Sequence, residues 1–290
     1  MSARAVMART QKWFQEQPWQ LWGSQIFILV RNEVRRNLFT RRRFWIYLLA
    51  FVPVLIIAAQ KLFDRSAPET WLEGDTRVLA GTIQFYYIRL GIFFACMGIF
   101  AGLFRAEVVE HTLHYQFLVP VRREVLVIGK FLGGAIIAIV VFETAILASF
   151  YLIYSRFGSV GRAYVFGGPG LGQLGSYLLV TALACLGYGS VFLALSLIFK
   201  NPIVPGALLM GWETIIPVFP AWAQRLSVTF YLKHLCPVSV PIEGPMAIFT
   251  VVAEPVSPVA AVMGLLCFTV AILVLSCFLI HRLEISYGTE

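Results

Sequence analysis

Residues 125–154 read VLVIGKFLGGAIIAIVVFETAILASFYLIY, and past Lys130 a single charge, Glu143, interrupts them. A membrane-crossing helix needs about 20 predominantly apolar residues. This run exceeds that length and has enough excess to tilt or to extend beyond the hydrocarbon. Applied to the rest of the chain, the same ruler marks six segments: 44–62, 78–104, 125–154, 174–199, 203–219 and 259–280. The fold class that follows is an all-α polytopic membrane protein with six transmembrane helices. Its organisation is a cytoplasmic N-terminal region, 1–43, followed by one transmembrane domain, 44–290.

Composition agrees with that reading. Of 290 residues, 59% are hydrophobic and 13% charged, with a mean hydropathy of +0.79, outside the range of soluble globular chains. One anchor cannot raise a whole-chain average this far, so the solvent is lipid nearly throughout. A net charge of +8 would invite a nucleic-acid partner in a soluble protein; here it is explained by cytoplasmic flanks rich in Lys and Arg. Cys96, Cys185, Cys236, Cys267 and Cys277 are scattered without a CxxC pair, so they read as small packing residues and no metal site is expected. No apolar core with a small-residue cleavage site opens the chain, so the first span is expected to act as insertion signal.

Orientation follows from basic residues. With the N-terminus inside, the inner segments hold 15 Lys and Arg and the outer segments hold 6, while Lys61 and Arg89 lie within spans. Both termini are therefore expected in the cytoplasm. Ahead of the first span, Trp22, Ile26, Leu29 and Val30 lie near one helical face, with Glu33, Arg35 and Arg36 breaking the apolar run. That pattern predicts an amphipathic elbow helix along the inner membrane surface. The outer stretch FGSVGRAYVFGGPGLGQLG reads as a flexible glycine-rich turn. Residues 220–258 are too polar to span and hold several prolines, which predicts a re-entrant or interfacial hairpin before the last span.

Charges inside spans are costly and mark function or pairing. Arg89, Glu143 and Glu213 are the candidates for a translocation path, and an Arg89–Glu143 ion pair is an equally good structural account. Gln84, Tyr86, Tyr87 and Thr144 are candidates for a polar stripe beside them. His234 and Cys236 lie close together without further ligands in register. No catalytic triad or paired carboxylates are recognisable, so no catalytic residues are expected.

The inner loop LFRAEVVEHTLHYQFLVPVRREVLVIGKFLGG mixes charged and apolar residues where a connector would be short and polar. A helix entering it from Arg105 is broken by Pro120, and a new helix restarts near Arg122. A helix that leaves the membrane, stops and returns suits being pushed by a soluble partner. On Glu110, Thr112, Leu113, Leu118, Pro120, Arg123, Gly129 and Lys130, this loop resembles that of ABC-2 type transporter permeases. His111 and His114 depart from the pattern, standing where glycine and an acidic residue are usual.

The resemblance implies the transmembrane subunit of an ABC exporter in the cell membrane, such as a bacterial inner membrane. It implies a second permease copy or paralogue, and a separate ATPase subunit, two copies per complex, that binds ATP and Mg. Glu107, Glu110, Thr112, Leu113, Pro120, Arg122, Arg123 and Lys130 would carry the coupling. The chain itself has no Walker A motif, because Gly129-Lys130 is followed by Phe131 without a correctly spaced upstream glycine. It is therefore not expected to be an enzyme or to bind a cofactor. Two other classes remain open on sequence: an ion- or proton-coupled carrier using Arg89, Glu143 and Glu213, and a membrane enzyme acting on lipid.

Overall fold

The structure is a computed structural model that describes residues 19–38, 44–63, 72–109, 121–199, 201–238 and 256–282. Among them every regular element is helical. The order is α1 (Trp19–Leu38), α2 (Phe44–Phe63), α3 (Leu72–Gly81), a π-helical segment (Thr82–Gly91), α4 (Ile92–Val109), α5 (Arg123–Tyr154), α6 (Gly158–Gly167), α7 (Gly170–Ile198), α8 (Ile203–Ile215), α9 (Ala221–Gln224), α10 (Val228–Leu235) and α11 (Pro258–Leu279). The π-helical segment joins α3 to α4 in one continuous rod.

Four helical stretches are long and apolar enough to cross a membrane: Leu72–Phe104, Arg123–Gly167, Gly170–Ile198 and Pro258–Leu279. Phe44–Gln60 and Ile203–Val218 are apolar and shorter. Of the six runs read from the sequence, four are of spanning length and two fall short, and proline accounts for the shorter of the two. Pro205 sits in the first turn of α8, where its missing N–H is harmless, whereas Pro217 falls where the helix would continue. The chain there tightens into a 3₁₀ turn, Ile216–Val218.

The centre is built by α4, α5 and α7, which pack on one another. Glycine sets how closely they approach. A Cβ on Gly189 of α7 would lie 2.6 Å from the buried ring of Phe100 in α4, and one on Gly134 of α5 would lie 3.0 Å from the same ring. Phe93 then stands edge-on to Tyr188 and Phe192, with centroids 5.3 and 5.0 Å away. Around this centre, α11 covers α7, α2 lies on α5, and α1 lies on the first turns of α5. Cys96 and Cys185 are buried in the core, and the Cys96 thiol points at the Cys185 carbonyl at 3.8 Å.

The glycine-rich outer stretch is a correction to the sequence reading. It is helical through α6 and into α7. Gly158 takes φ +53°, a conformation open to glycine, and turns the chain back. Gly161 lets α6 close on the end of α5, since a Cβ there would lie 2.3 Å from the Tyr154 carbonyl oxygen. Tyr164 stacks on Tyr154 at 5.3 Å and donates to the Gln173 side chain at 3.0 Å. Composition alone reads as loop; the ring stack and hydrogen bond hold the helix.

Candidate functional site

Two regions bear on function: the end of the bundle where α4 finishes and α5 starts, on either side of residues 110–120, and the region around α8 and α10. At the first of these, α1 runs beside α5 almost residue for residue. Arg122 lies 4.5 Å from the centre of the Trp22 ring. A Cβ on Gly129 would lie 2.9 Å from Leu29, and one on Gly133 would lie 2.8 Å from Glu33. Equal steps along both helices mean that they run side by side in the same direction, so α1 stands along α5 rather than flat across its end, unlike the surface elbow expected from its amphipathic pattern. The spacing Gly129-x-x-x-Gly133 makes the seam, as small residues do between packed helices.

The same contacts set levels. The Trp45 ring in the first turn of α2 occupies the space a Gly98 Cβ would need, and Gly134 backs onto Phe100. The Trp45 ring therefore lies level with Gly133 and Gly134. At 1.5 Å per residue, segment 123–132 of α5 reaches about 15 Å beyond that level. The last turns of α4 extend likewise, so α1, α4 and α5 form a common stub.

Within the stub Lys130 is only 2% exposed. Its ammonium donates to the Leu103 carbonyl at 3.0 Å and lies 4.9 Å from the Phe104 ring centre. Lys130 thereby braces α5 against α4 from inside. Arg123 donates to the carbonyls of Ile280 and His281 at 3.3 and 3.4 Å, and Glu124 meets His281 at 2.8 Å. The end of α11 is thus gripped by the first turn of α5. Glu107 lies on the last turns of α4, while Glu110, Thr112, Leu113 and Pro120 lie outside the described residues.

In the second region, Glu213 of α8 is 8% exposed. Its carboxylate accepts from the Ser227 hydroxyl at 2.5 Å and from the backbone N–H groups of Val228 and Thr229 at 3.1 and 3.3 Å. These are the opening groups of α10, whose unpaired donors and dipole favour a negative charge. Tyr188, in the body of α7, shares a 2.9 Å hydrogen bond with Thr229. Gln84 of the π-helical segment donates to the Val238 carbonyl at 2.6 Å, just beyond α10. Glu213 therefore seats a short helix against the bundle.

The other charges are not joined to it. Arg89 and Glu143 are half-buried, and no ion pair links them. Thr144 donates to its own helix at the Val140 carbonyl, 2.6 Å away. Tyr86 and Tyr87 instead serve a backbone defect that sequence reading missed. Pro53 lies inside α2 and removes the N–H that would pair with the Leu49 carbonyl. Tyr86 donates to that carbonyl at 2.9 Å. Tyr87 donates to the next, Ala50, at 3.0 Å and shares a 3.3 Å hydrogen bond with Ser149. An interior proline signals a vacant carbonyl; only packing shows which hydroxyl fills it.

An apolar groove of about 490 Å³ runs between α4 and α8, lined by Phe94, Met97, Ile203, Ala207 and Met210 among others. Arg89, Glu143 and Glu213 do not line it.

Comparison with known families matches residues 38–211 to the family described as ABC-2 family transporter protein. The matched region runs from the approach to α2 through most of α8 and contains residues 110–120. No curated protein matches the sequence. A match over more than half of the chain, on an all-helical bundle with several membrane-length helices, is decisive for family: this chain belongs to the ABC-2 family of transporter proteins.

Proposed function

We propose that the chain is the membrane-spanning permease subunit of an ATP-driven exporter, forming the translocation path and coupled to a separate ATPase. The observation that carries this reading is the family match across 38–211. Membership makes the chain a transmembrane component that works with an ABC ATPase rather than an ATPase itself. ATP and Mg are then held by two copies of that partner, and a second permease copy or paralogue completes the complex.

The two shorter helices complete six crossings in this reading. α2 crosses with help from its flanks, and α8 crosses as a short span, with α9 and α10 forming a re-entrant hairpin from the outer side. Tyr188–Thr229 and the Glu213 seat at the start of α10 support that arrangement. Both termini lie in the cytoplasm, on the charge asymmetry of the flanks. The stub of α1, α4 and α5 then projects into the cytosol and presents the loop 110–120 to the ATPase. Glu107, Glu110, Thr112, Leu113 and Pro120 form the contact, and Arg122, Arg123 and Lys130 transmit its movement to α1, α11 and α4. A proton or ion relay through Arg89, Glu143 and Glu213 lacks support, because Glu213 is engaged by α10 and the other two do not pair with each other.

The test is co-expression of the tagged chain with an ATPase that carries a phosphate loop. The wild-type chain is expected to retain the ATPase through purification and to alter its turnover in proteoliposomes. Glu110→Lys and Arg123→Glu are expected to abolish that response. Wild-type behaviour of both variants would remove the docking role from this loop, and failure of the wild-type chain to retain any such ATPase would remove the permease reading itself.

A further inference from the structure

The face of α1 turned away from α5 is built from a different set of residues. Arg31 and Arg35 are exposed on it, about 40° apart around a helix that advances about 100° per residue. Phe27 and Ile28 flank them, 67% and 56% exposed. The opposite face is closed by Gly129, Gly133 and the Arg122–Trp22 contact.

Register places the two arginines in depth. Because Leu29 meets Gly129 and Glu33 meets Gly133, Arg31 and Arg35 bracket the level of Gly133. At that level lies the ring of Trp45 from the first turn of α2, 38% exposed, beside Phe44, 68% exposed. Exposed aromatic rings at a span's first turn mark the boundary between hydrocarbon and headgroups. Guanidinium groups at that boundary meet lipid phosphates, to which their paired N–H donors are matched.

We propose that Arg31 and Arg35 bind the phosphates of acidic phospholipids in the cytoplasmic leaflet, tethering the α1–α5 pair that bounds the coupling loop. The proposal rests on the cytoplasmic placement of α1 in the permease reading. Phe27 and Ile28 share this face of α1 on the side of the arginines nearer the stub's tip. Since α1 is seamed to α5 through Gly129 and Gly133, lipid charge acts on the helix that carries movement away from the loop. The permease thereby responds to the acidic lipid content of its own leaflet.

The test uses the purified full-length chain in nanodiscs of phosphatidylcholine with phosphatidylglycerol as the minor component. Native mass spectrometry of the released protein reads the ratio of the two lipids that stay bound. A basic residue near an acidic leaflet changes occupancy by about fivefold. Arg31→Gln and Arg35→Gln are each expected to lower phosphatidylglycerol retention by about that factor, and the double variant by more. Arg31→Lys is expected to retain most of it, and the exposed Arg162→Gln at the other end of the bundle is expected to leave it unchanged. Thermal unfolding of each variant in detergent should match wild type. Unchanged lipid ratios in the double variant overturn the proposal, as does an equal fall in Arg162→Gln. Unchanged lipid ratios with loss of a co-expressed ATPase would assign this face to a protein instead. No ATPase is needed for the lipid measurement, so its failure leaves the permease reading intact.

Discussion

Helices α5 and α11 are about equally apolar as sequence, yet 72% of the apolar window of the stretch containing α5 is buried inside the protein against 17% for α11. Both satisfy their backbone hydrogen bonds internally, so lipid accepts either. What separates them is surface relief and chemistry. α5 carries Gly129, Gly133 and Gly134, each in close contact with a neighbouring helix, and Lys130 and Ser149, both engaged by partners. α11 turns Val259, Met263, Val270, Val274 and Phe278 outward. In lipid, hydrophobicity does not choose the interior, because the surroundings are as apolar as the core; close approach and polar pairing choose it.

If that is the right lesson, substitutions should rank by contact relief rather than by hydropathy. Gly189→Leu forces a large side chain onto the Phe100 ring and is expected to cost about 3 kcal/mol, read as thermal unfolding in detergent. A wild-type melting temperature would break the comparison at its centre. Glu213→Ala leaves the Ser227 hydroxyl and two N–H groups at the start of α10 without their acceptor and is expected to cost about 2 kcal/mol. Faster proteolysis within 219–238 should accompany it, and resistance equal to wild type would show that α10 is held in some other way.

A smaller effect sharpens the role of pairing. Tyr86→Phe is expected to cost about 1 kcal/mol by stranding the Leu49 carbonyl. In a Pro53→Ala background the restored N–H supplies a donor, so the same substitution should become nearly neutral. A double-mutant cycle reads that difference directly, and additive costs would refute the link between Pro53 and Tyr86. At the bottom of the scale, Val270→Ala on the outward face of α11 is expected to stay within about 0.5 kcal/mol of wild type. A loss comparable with that of Gly189→Leu would mean that α11 packs against something other than lipid.

Much of the architecture was legible before any coordinates. The long runs at 78–104, 125–154, 174–199 and 259–280 each fall on a membrane-length helical stretch, the first starting earlier at Leu72 and the second continuing to Gly167, because apolar length is a local property. The restart of helix after Pro120 is seen at Arg123, as proline chemistry requires. Resemblance in the inner loop pointed to the family that the match over 38–211 establishes. Less was legible where partners are distant. Arg89 and Glu143 stand within reading distance as a plausible pair, but whether two charges meet depends on helix rotation. The glycine-rich outer stretch misled because glycine serves equally as a flexible link and as a close-packing surface.

From the residues alone came the solvent, the four long apolar runs and the lack of a phosphate-loop motif in the sequence. Each is fixed by composition or by spacing along one strand of chain. The tertiary structure alone decided that Lys130 is an internal brace, that Glu213 seats α10, that Tyr86 repairs the carbonyl vacated by Pro53, and that α1 runs beside α5. Those outcomes depend on which helix faces come within about 3 Å of each other, and that distance is set by the small residues and vacant donors of two segments at once.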